Sequence, residues 1–415
     1  MMDPVAGGLG KWIHFNRPGS PGVSHLFGTR SAGTRLTRAP LLLFLWAPFF
    51  FTLTAAAQSD RDVLERGIRY LVDKQQQDGS WKSEHYGNLK QGAATTALVL
   101  FALSHTDPEH LDGRKTIIQN GFRFLKAGIE KHGYVANRGG PDYANYATSL
   151  TLLAERNYQR LHRWTFLTPK ERKTLVQFLV NAQLDDTHGL KPLQADFGGW
   201  DLSGWMQVPR DSPGTNISIS SFVLQALEGE KSDEVRQVRV RAARWLTRLR
   251  NPDDGFHFHP RKDHAGNKAQ WSDPPDAHPL SYGTATVDGL RAMQAVGSTT
   301  GETEKTVAYL EQAIRRNGLD SVPGFRRPSG NESTRSHDSS WSKGLVYYFY
   351  MSLGLAKDQL TPEVRKQCSK EIPAILRKNQ GQDGRWENSS ARMREDDPLV
   401  ATAFALVAIC RFQTK

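Results

Sequence analysis

One dipeptide class recurs six times along this chain. An aromatic or aliphatic residue followed by leucine occurs at Tyr70-Leu71, Phe124-Leu125, Phe178-Leu179, Trp245-Leu246, Tyr309-Leu310 and Ile375-Leu376. Subtracting residue numbers spaces the leucines 54, 54, 67, 64 and 66 residues apart. Each pair lies in a stretch with helical periodicity, and each is followed by a glycine-aromatic turn. A repeat of this length, built only of helices, restricts the chain to rings or solenoids before any single residue is weighed.

The first unit shows the pattern most clearly. From Arg66 to Lys74 the apolar residues fall at helical spacing. Gly79 then offers a left-handed helix end, over which Trp81 can fold back. A second helix follows from Gly92 to Leu103 and is apolar on almost every side, so burial is expected. The last unit repeats this from Leu376 through Gly384 and Trp386 to an apolar helix at Leu399–Cys410. The middle units are looser, with turns at Gly133-Tyr134, Gly199-Trp200, Gly255-Phe256 and Gly324-Phe325. Their second helices are expected near Tyr143–Ala154, Ile217–Leu227, Thr284–Ala295 and Trp341–Leu353.

A hairpin with one helix apolar all round cannot bury that helix alone. Six hairpins closed into a ring place the apolar helices inside and the amphipathic ones outside. The expectation is therefore an all-α (α/α)6 toroid. An open solenoid would need polar caps on its terminal repeats, yet the first and last units here are the least degenerate.

The turns also carry a resemblance. Arg66, Gly67, Tyr70, Leu71, Gln75, Gly79 and Trp81 fill every place of a pattern running basic, small, aromatic, aliphatic, Gln, Gly, Trp. Leu376, Gln380, Gly384 and Trp386 fill its second half again. The pattern resembles the QW motif of squalene and oxidosqualene cyclases, and the repeats cover residues 60–412. The chain looks like a member of the prenyltransferase and squalene oxidase repeat group, which includes terpene cyclases and the β subunits of protein prenyltransferases. That resemblance implies the same toroid and, on the cyclase branch, acid-initiated class II chemistry in an aromatic cavity.

Residues 1–57 read as a leader outside the ring, and 58–415 as the toroid. Lys11, Arg17, Arg30, Arg35 and Arg38 against Asp3 give the leader +4, and Leu41–Leu53 is an apolar run. Ala55-Ala56-Ala57 then offers a cleavage site before Gln58, as in a secretory signal peptide. The uncharged run from Ala39 to Ser59 is also just long enough to stay as a membrane anchor. An exported protein, periplasmic or extracellular, is expected either way. Taking +4 from the chain's +11 leaves +7 on the ring, scattered over outer-helix positions such as Arg236, Arg239 and Arg244. A solvated face accounts for that charge, and no nucleic-acid-binding module is visible. Cys368 and Cys410 are the two cysteines, read equally as a disulfide or as two buried thiols.

Chemistry is expected at the rim where the inner helices begin, because their partial positive ends gather there. The candidate catalytic residues at that rim are Asp396, Asp397, Asp338, His337, Asp276 and His278. The candidate ligand-binding residues are Tyr86, Tyr143, Trp205, Tyr282, Trp341 and Arg394. A carboxylate just before a helix also serves as a cap. The Asp276, His278, His337 and Asp338 set reads as a hydrogen-bonded cluster ahead of a metal site. Neither a metal nor a cofactor is expected.

On the resemblance, the acidic Asp-x-Asp-Asp stretch of class II cyclases is approached only by Arg394-Glu395-Asp396-Asp397. Asp396 would be the proton donor, although an adjacent arginine favours its ionised form. The prenyltransferase zinc pair is absent, since Lys366 and Ala408 stand two residues before the cysteines. The expected function is binding or transformation of an isoprenoid or other hydrophobic small molecule in an aromatic cavity. A carbohydrate-active toroid with paired carboxylates, drawn from Asp211, Asp276, Asp338 and Asp396, is the second reading. A non-catalytic scaffold is the third.

Overall fold

The computed structural model describes residues 59–87, 89–136, 143–202, 214–262, 267–269, 271–272, 278–324 and 340–413. Thirteen α-helices occupy these residues: α1 (Asp60–Asp73), α2 (Ala93–Leu103), α3 (Lys115–His132), α4 (Ala144–Asn157), α5 (Pro169–Asn181), α6 (Ile217–Ala226), α7 (Asp233–Leu246), α8 (Gly283–Val296), α9 (Thr300–Asn317), α10 (Ser340–Gly344), α11 (Val346–Leu355), α12 (Pro362–Asn379) and α13 (Pro398–Phe412). Among the described residues, strand pairing is confined to two isolated bridges, Arg250 with Phe256 and Trp271 with Pro279.

Polarity sorts these helices into two layers. In α2 every residue from Ala93 to Leu103 is buried, and α13 is buried from Leu399 to Ile409. By contrast α3 buries only Ile118, Gly121, Phe122, Leu125 and Ile129, a single stripe. Three outer helices, α1, α5 and α9, open with hydroxyl caps: Ser59, Thr168 and Thr299 each form a reciprocal box with an acid three residues on.

The ring closes. Each inner helix touches the next, in the order α2, α4, α6, α8, α11, α13 and back to α2. Outside them, α1 and α12 lie against α13, α3 against α2, α5 against α4, and α7 and α9 against α8. The seam joins the first outer helix to the last. There Gln380 Nε2 donates to Val63 O at 2.9 Å, Gln413 Nε2 donates to Asp60 O at 3.0 Å, and Arg377 pairs with Asp60. The architecture is the expected (α/α)6 toroid.

The turns repeat one hydrogen-bond plan. The indole Nε1 of Trp81, Trp200 and Trp386 returns to the end of the preceding outer helix, donating to Leu71 O, Leu179 O and Leu376 O at 2.6, 2.8 and 2.8 Å. In five units the amide closing the turn meets a hydroxyl on the following inner helix. The pairs are Trp81–Thr96, Val135–Thr148, Trp200–Ser220, Phe256–Thr286 and Trp386–Thr402, all within 2.9–3.1 Å. In the second unit this corrects the sequence reading. Val135, not Tyr134, takes the tryptophan's place, because the closing residue stands two positions after the left-handed Gly133. Tyr134 instead stacks on Phe178 at 4.4 Å.

A second correction concerns the helix expected over Trp341–Leu353. It is broken at Leu345 into α10 and α11. The amides of Tyr347 and Tyr348 turn to the Glu395 carboxylate at 3.2 and 2.8 Å, which starts a fresh helix there. Both cysteines are free thiols, Cys368 on α12 and Cys410 on α13. Burial pushes the Cys368 thiol up to about 12.

Candidate functional site

The inner helices begin at one rim, and a cavity of about 350 Å³ opens among their first turns. That volume lies within the range of small-molecule sites. Ala94, Thr95 and Leu98 of α2, Ile219 of α6 and Val400 and Phe404 of α13 contribute to its wall. Tyr143, Tyr146, Phe258 and Tyr348 add four more rings, and Leu89, Leu202 and Met393 add aliphatic surface from the loops. The polar groups on this wall are Thr95, Asn216, His259 and Arg394. Among the described residues none of the lining side chains is a carboxylate.

Beneath the wall lies a buried charge network. Asp288 and Arg291, both on α8 and fully buried, pair at 3.0 Å. The Asp288 carboxylate also accepts from Ser218 Oγ at 2.6 Å, Ser352 Oγ at 2.8 Å and Tyr348 OH at 2.8 Å. Arg291 donates to Gln225 Oε1 at 2.6 Å and lies 4.5 Å from the Phe222 ring centroid. Burying a carboxylate is costly unless it is paired and hydrogen-bonded, and these donors satisfy it. Its tie to Tyr348 fixes one ring of the cavity wall. Burial, with the nearby Asp288 charge, holds the Tyr348 phenol well above its ordinary range.

A loop from α12 to α13 closes one side of the mouth. Met393 and Arg394 both hold left-handed backbone, at φ 52° and 61°, each at a cost on the order of 1–3 kcal/mol. Both side chains reach the cavity wall. The next residue, Glu395, anchors the loop. Its fully buried carboxylate accepts from the first-turn amides of α11 and from Asn388 Nδ2 at 3.0 Å. Burial outweighs those bonds and pushes its pKa up to about 8.

The structure gathers four of the residues singled out by sequence. Arg394 lies over the rings of Tyr86 and Tyr143, 4.8 and 5.4 Å from their centroids. Tyr86 OH donates to Asp396, and burial ahead of that bond raises the phenol above its ordinary range. Tyr143 and Arg394 line the cavity; Asp396 is reached through Tyr86 and is not among the lining residues. Asp397 caps α13, accepting from Leu399 N at 2.9 Å, and takes the Ser83 hydroxyl as well.

The remaining candidates stand apart. Tyr282 is buried at the start of α8, outside the lining. His278 sits beside the bridge at Pro279, with Nδ1 3.0 Å from Ser272 Oγ. Trp341 lies near two cations, Lys268 at 5.6 Å and Arg392 at 4.7 Å from its ring centroid. Asp276, His337, Asp338 and Trp205, together with Asp211 and the leader, lie outside the described residues. Among the described residues no three His, Cys, Asp or Glu side chains gather as a metal site.

Sequence reasoning missed Tyr146, Phe258, Tyr348, Phe404 and the Asp288–Arg291 pair. The pair had a signal: two charges three residues apart inside the otherwise uncharged, largely buried stretch Gly283–Val296. The rings had none, because a buried aromatic reads as core until the cavity is seen.

No family model matches the chain, and no curated protein matches it by sequence. Solved structures do. The chain is similar to a type II terpene cyclase, MstE from Scytonema, in complex with geranylgeranyl dihydroxybenzoate, at 13% identity over 85% of this chain and 97% of that chain, TM-score 0.52. It is similar to a protein from Actinoplanes at 16% identity over 85% of this chain and 99% of that one, TM-score 0.55. It is also similar to the GH76A alpha-1,6-mannanase from Salegentibacter sp., at 13% identity over 85% and 99%, TM-score 0.50. At these identities the likeness is one of fold.

Proposed function

We propose that this protein binds a hydrophobic ligand of the isoprenoid class in its central cavity. The observation that carries the reading is the wall itself: five aromatic rings, Tyr143, Tyr146, Phe258, Tyr348 and Phe404, with aliphatic residues between them. Such a wall suits an apolar chain, and the ring faces favour any positive charge that develops along it. Arg394 at the mouth suits a polar or anionic head group. The fold neighbour MstE was solved with geranylgeranyl dihydroxybenzoate, a ligand of this character.

Binding is better supported than acid-initiated turnover. A proton donor has to face the ligand. Asp396 instead accepts from Tyr86, and Asp288 is committed to Arg291 and three hydroxyls. The carbohydrate reading needs two facing carboxylates, and the described wall supplies none. The scaffold reading needs a filled ring, and here about 350 Å³ is left open.

Native mass spectrometry of the protein purified from its own host tests the reading. A co-purifying lipid in the isoprenoid mass range is expected, and Leu98→Trp, which fills the cavity from α2, should release it. An empty wild-type protein that depolymerises a mannan would replace this reading with the carbohydrate one. Export belongs to the same proposal. N-terminal sequencing should place the mature start at Gln58; the intact leader in the membrane fraction would mean an anchor instead.

A further inference from the structure

A second hollow lies on the same rim, away from the ring centre. A cleft of about 320 Å³ opens at the seam between the first and last units, within the range of small-molecule sites. Tyr70 near the end of α1, the loop that follows α1, the two residues flanking Trp386 and the head of α13 enclose it. Among the described residues its lining shares no member with that of the central cavity. Consecutive residues of α13 divide the two, with Leu399 on the cleft and Val400 on the cavity.

Tyr70 is the group on this wall that the fold leaves without a partner. Only 8% of the residue is exposed, and a buried phenol ordinarily finds a hydrogen bond inside the protein. Its hydroxyl makes none among the described residues, and it is not sealed from solvent. The opening left to it is the cleft that its side chain lines. Burial pushes the phenol up to about 12, so it stays neutral and can both donate and accept. Of the charges that reach it, those of Arg385, Asp397 and Glu84 belong to the same wall.

The wall is polar and its charge is balanced. Lys74, Lys82 and Arg385 bring three cations, and Glu84, Glu387 and Asp397 bring three carboxylates. Arg385 Nε pairs with Glu387 at 2.9 Å and Lys82 with Asp78 at 2.6 Å, which holds those heads in place. Glu84 makes neither a side-chain hydrogen bond nor an ion pair among the described residues. A phosphate would meet the carboxylates, and a polyamine the cations, at a like-charge cost. A lipid chain would find aliphatic surface only at Pro398 and Leu399. An uncharged polyol meets neither penalty. Its hydroxyls donate to carboxylates and accept from ammonium and guanidinium groups, while its C–H face covers Pro398 and Leu399. We propose that the seam cleft is a second binding site, which takes a neutral saccharide through Tyr70, Glu84 and the Arg385–Glu387 pair. The inference goes beyond the hydrophobic-ligand reading and does not depend on it.

The test is saturation-transfer NMR of the full chain with the methyl glycosides of glucose, galactose, mannose and N-acetylglucosamine. Glucose 6-phosphate serves as the charged counterpart. Transfer to at least one neutral glycoside is expected, with affinity falling on the order of tenfold in Tyr70→Phe, which removes only the hydroxyl, and in Glu84→Gln. Melting temperature and lipid retention should stay unchanged in both variants, because neither side chain is bonded within the fold or lines the central cavity. Excess farnesol should not displace the sugar. Absence of transfer to every glycoside, or full affinity in both variants, would overturn the proposal. Tighter binding of glucose 6-phosphate would overturn the neutral class, and displacement by farnesol would move the sugar into the cavity and empty the cleft of its role. Glycoside binding by a protein that carries no lipid would support the cleft and sink the cavity reading alone.

Discussion

Three glutamines show how much one side chain can join. Gln75, Gln183 and Gln380 each donate to the carbonyl of their own turn, Gly79, Gly198 and Gly384, at 3.0, 2.9 and 2.8 Å. Each also donates to the next outer helix along the ring, at Ile117, Val238 and Val63, at 2.8, 2.9 and 2.9 Å. The basic residue of the pattern serves a neighbouring unit, not its own: Arg66 donates to Gln380, and Arg241 to Gln183. The small residue behaves likewise, since a Cβ on Gly67 would meet the Trp386 ring at 2.7 Å. Gln183→Leu should therefore cost about 1–3 kcal/mol by stranding two buried carbonyls, measured by denaturant unfolding. An unchanged midpoint would mean that water replaces the amide. At the rim, Asp396→Asn should leave lipid retention intact, because the residue is turned to Tyr86. If that variant instead abolishes an isoprenoid turnover, Asp396 is the proton donor after all.

At the scale of elements, helix starts carry the consequential chemistry. The α11 start is capped not by its own chain neighbour but by Glu395, which also anchors the loop bearing Arg394. Its pKa of about 8 stands above the ordinary 4.5. The folded state thus holds the proton more tightly, and the stability linked to it is fully present below about 4.5 and lost as pH rises through about 8. Melting temperature should fall across that window, and Glu395→Gln should flatten the slope. An identical slope in the variant would assign the pH dependence to other groups. The start of α13 shows the milder case, where Asp397 acts as a cap, and Asp397→Ala should cost about 0.5–2 kcal/mol.

For the whole molecule, closure and the buried centre matter together. Asp288 and Arg291 on α8 join α6, through Ser218 and Gln225, to α11, through Tyr348 and Ser352. One ion pair thereby fastens three of the six inner helices. Asp288→Asn should destabilise by about 3–5 kcal/mol, since it leaves Arg291 buried without its counter-charge. Replacing both, as Asp288→Leu with Arg291→Met, should recover most of that loss while loosening Tyr348 and weakening ligand retention. A double variant as unstable as the single one would show that the hydroxyl network, rather than the charge, holds the centre.

The toroid was legible in the sequence because it rests on local periodicity. Six stretches with one apolar stripe alternate with stretches apolar all round, and a closed double layer buries both sets without the polar terminal caps an open solenoid needs. The turns were legible where Gln, Gly and Trp stand close together, as at Gln75–Trp81 and Gln380–Trp386. Gln183 was hidden because a long insertion separates it from Gly198 and Trp200. Tyr86, Tyr143, Arg394 and Asp396 could be named because they sit just before helices, where ligand contacts concentrate. Their relation could not, because it depends on bonds between residues about three hundred positions apart, such as Tyr86 with Asp396. Nor could periodicity separate rings that fill the core from rings that face the cavity. That distinction arises only when six helix starts converge, since a ring's environment is set by neighbours from other units and not by its own segment.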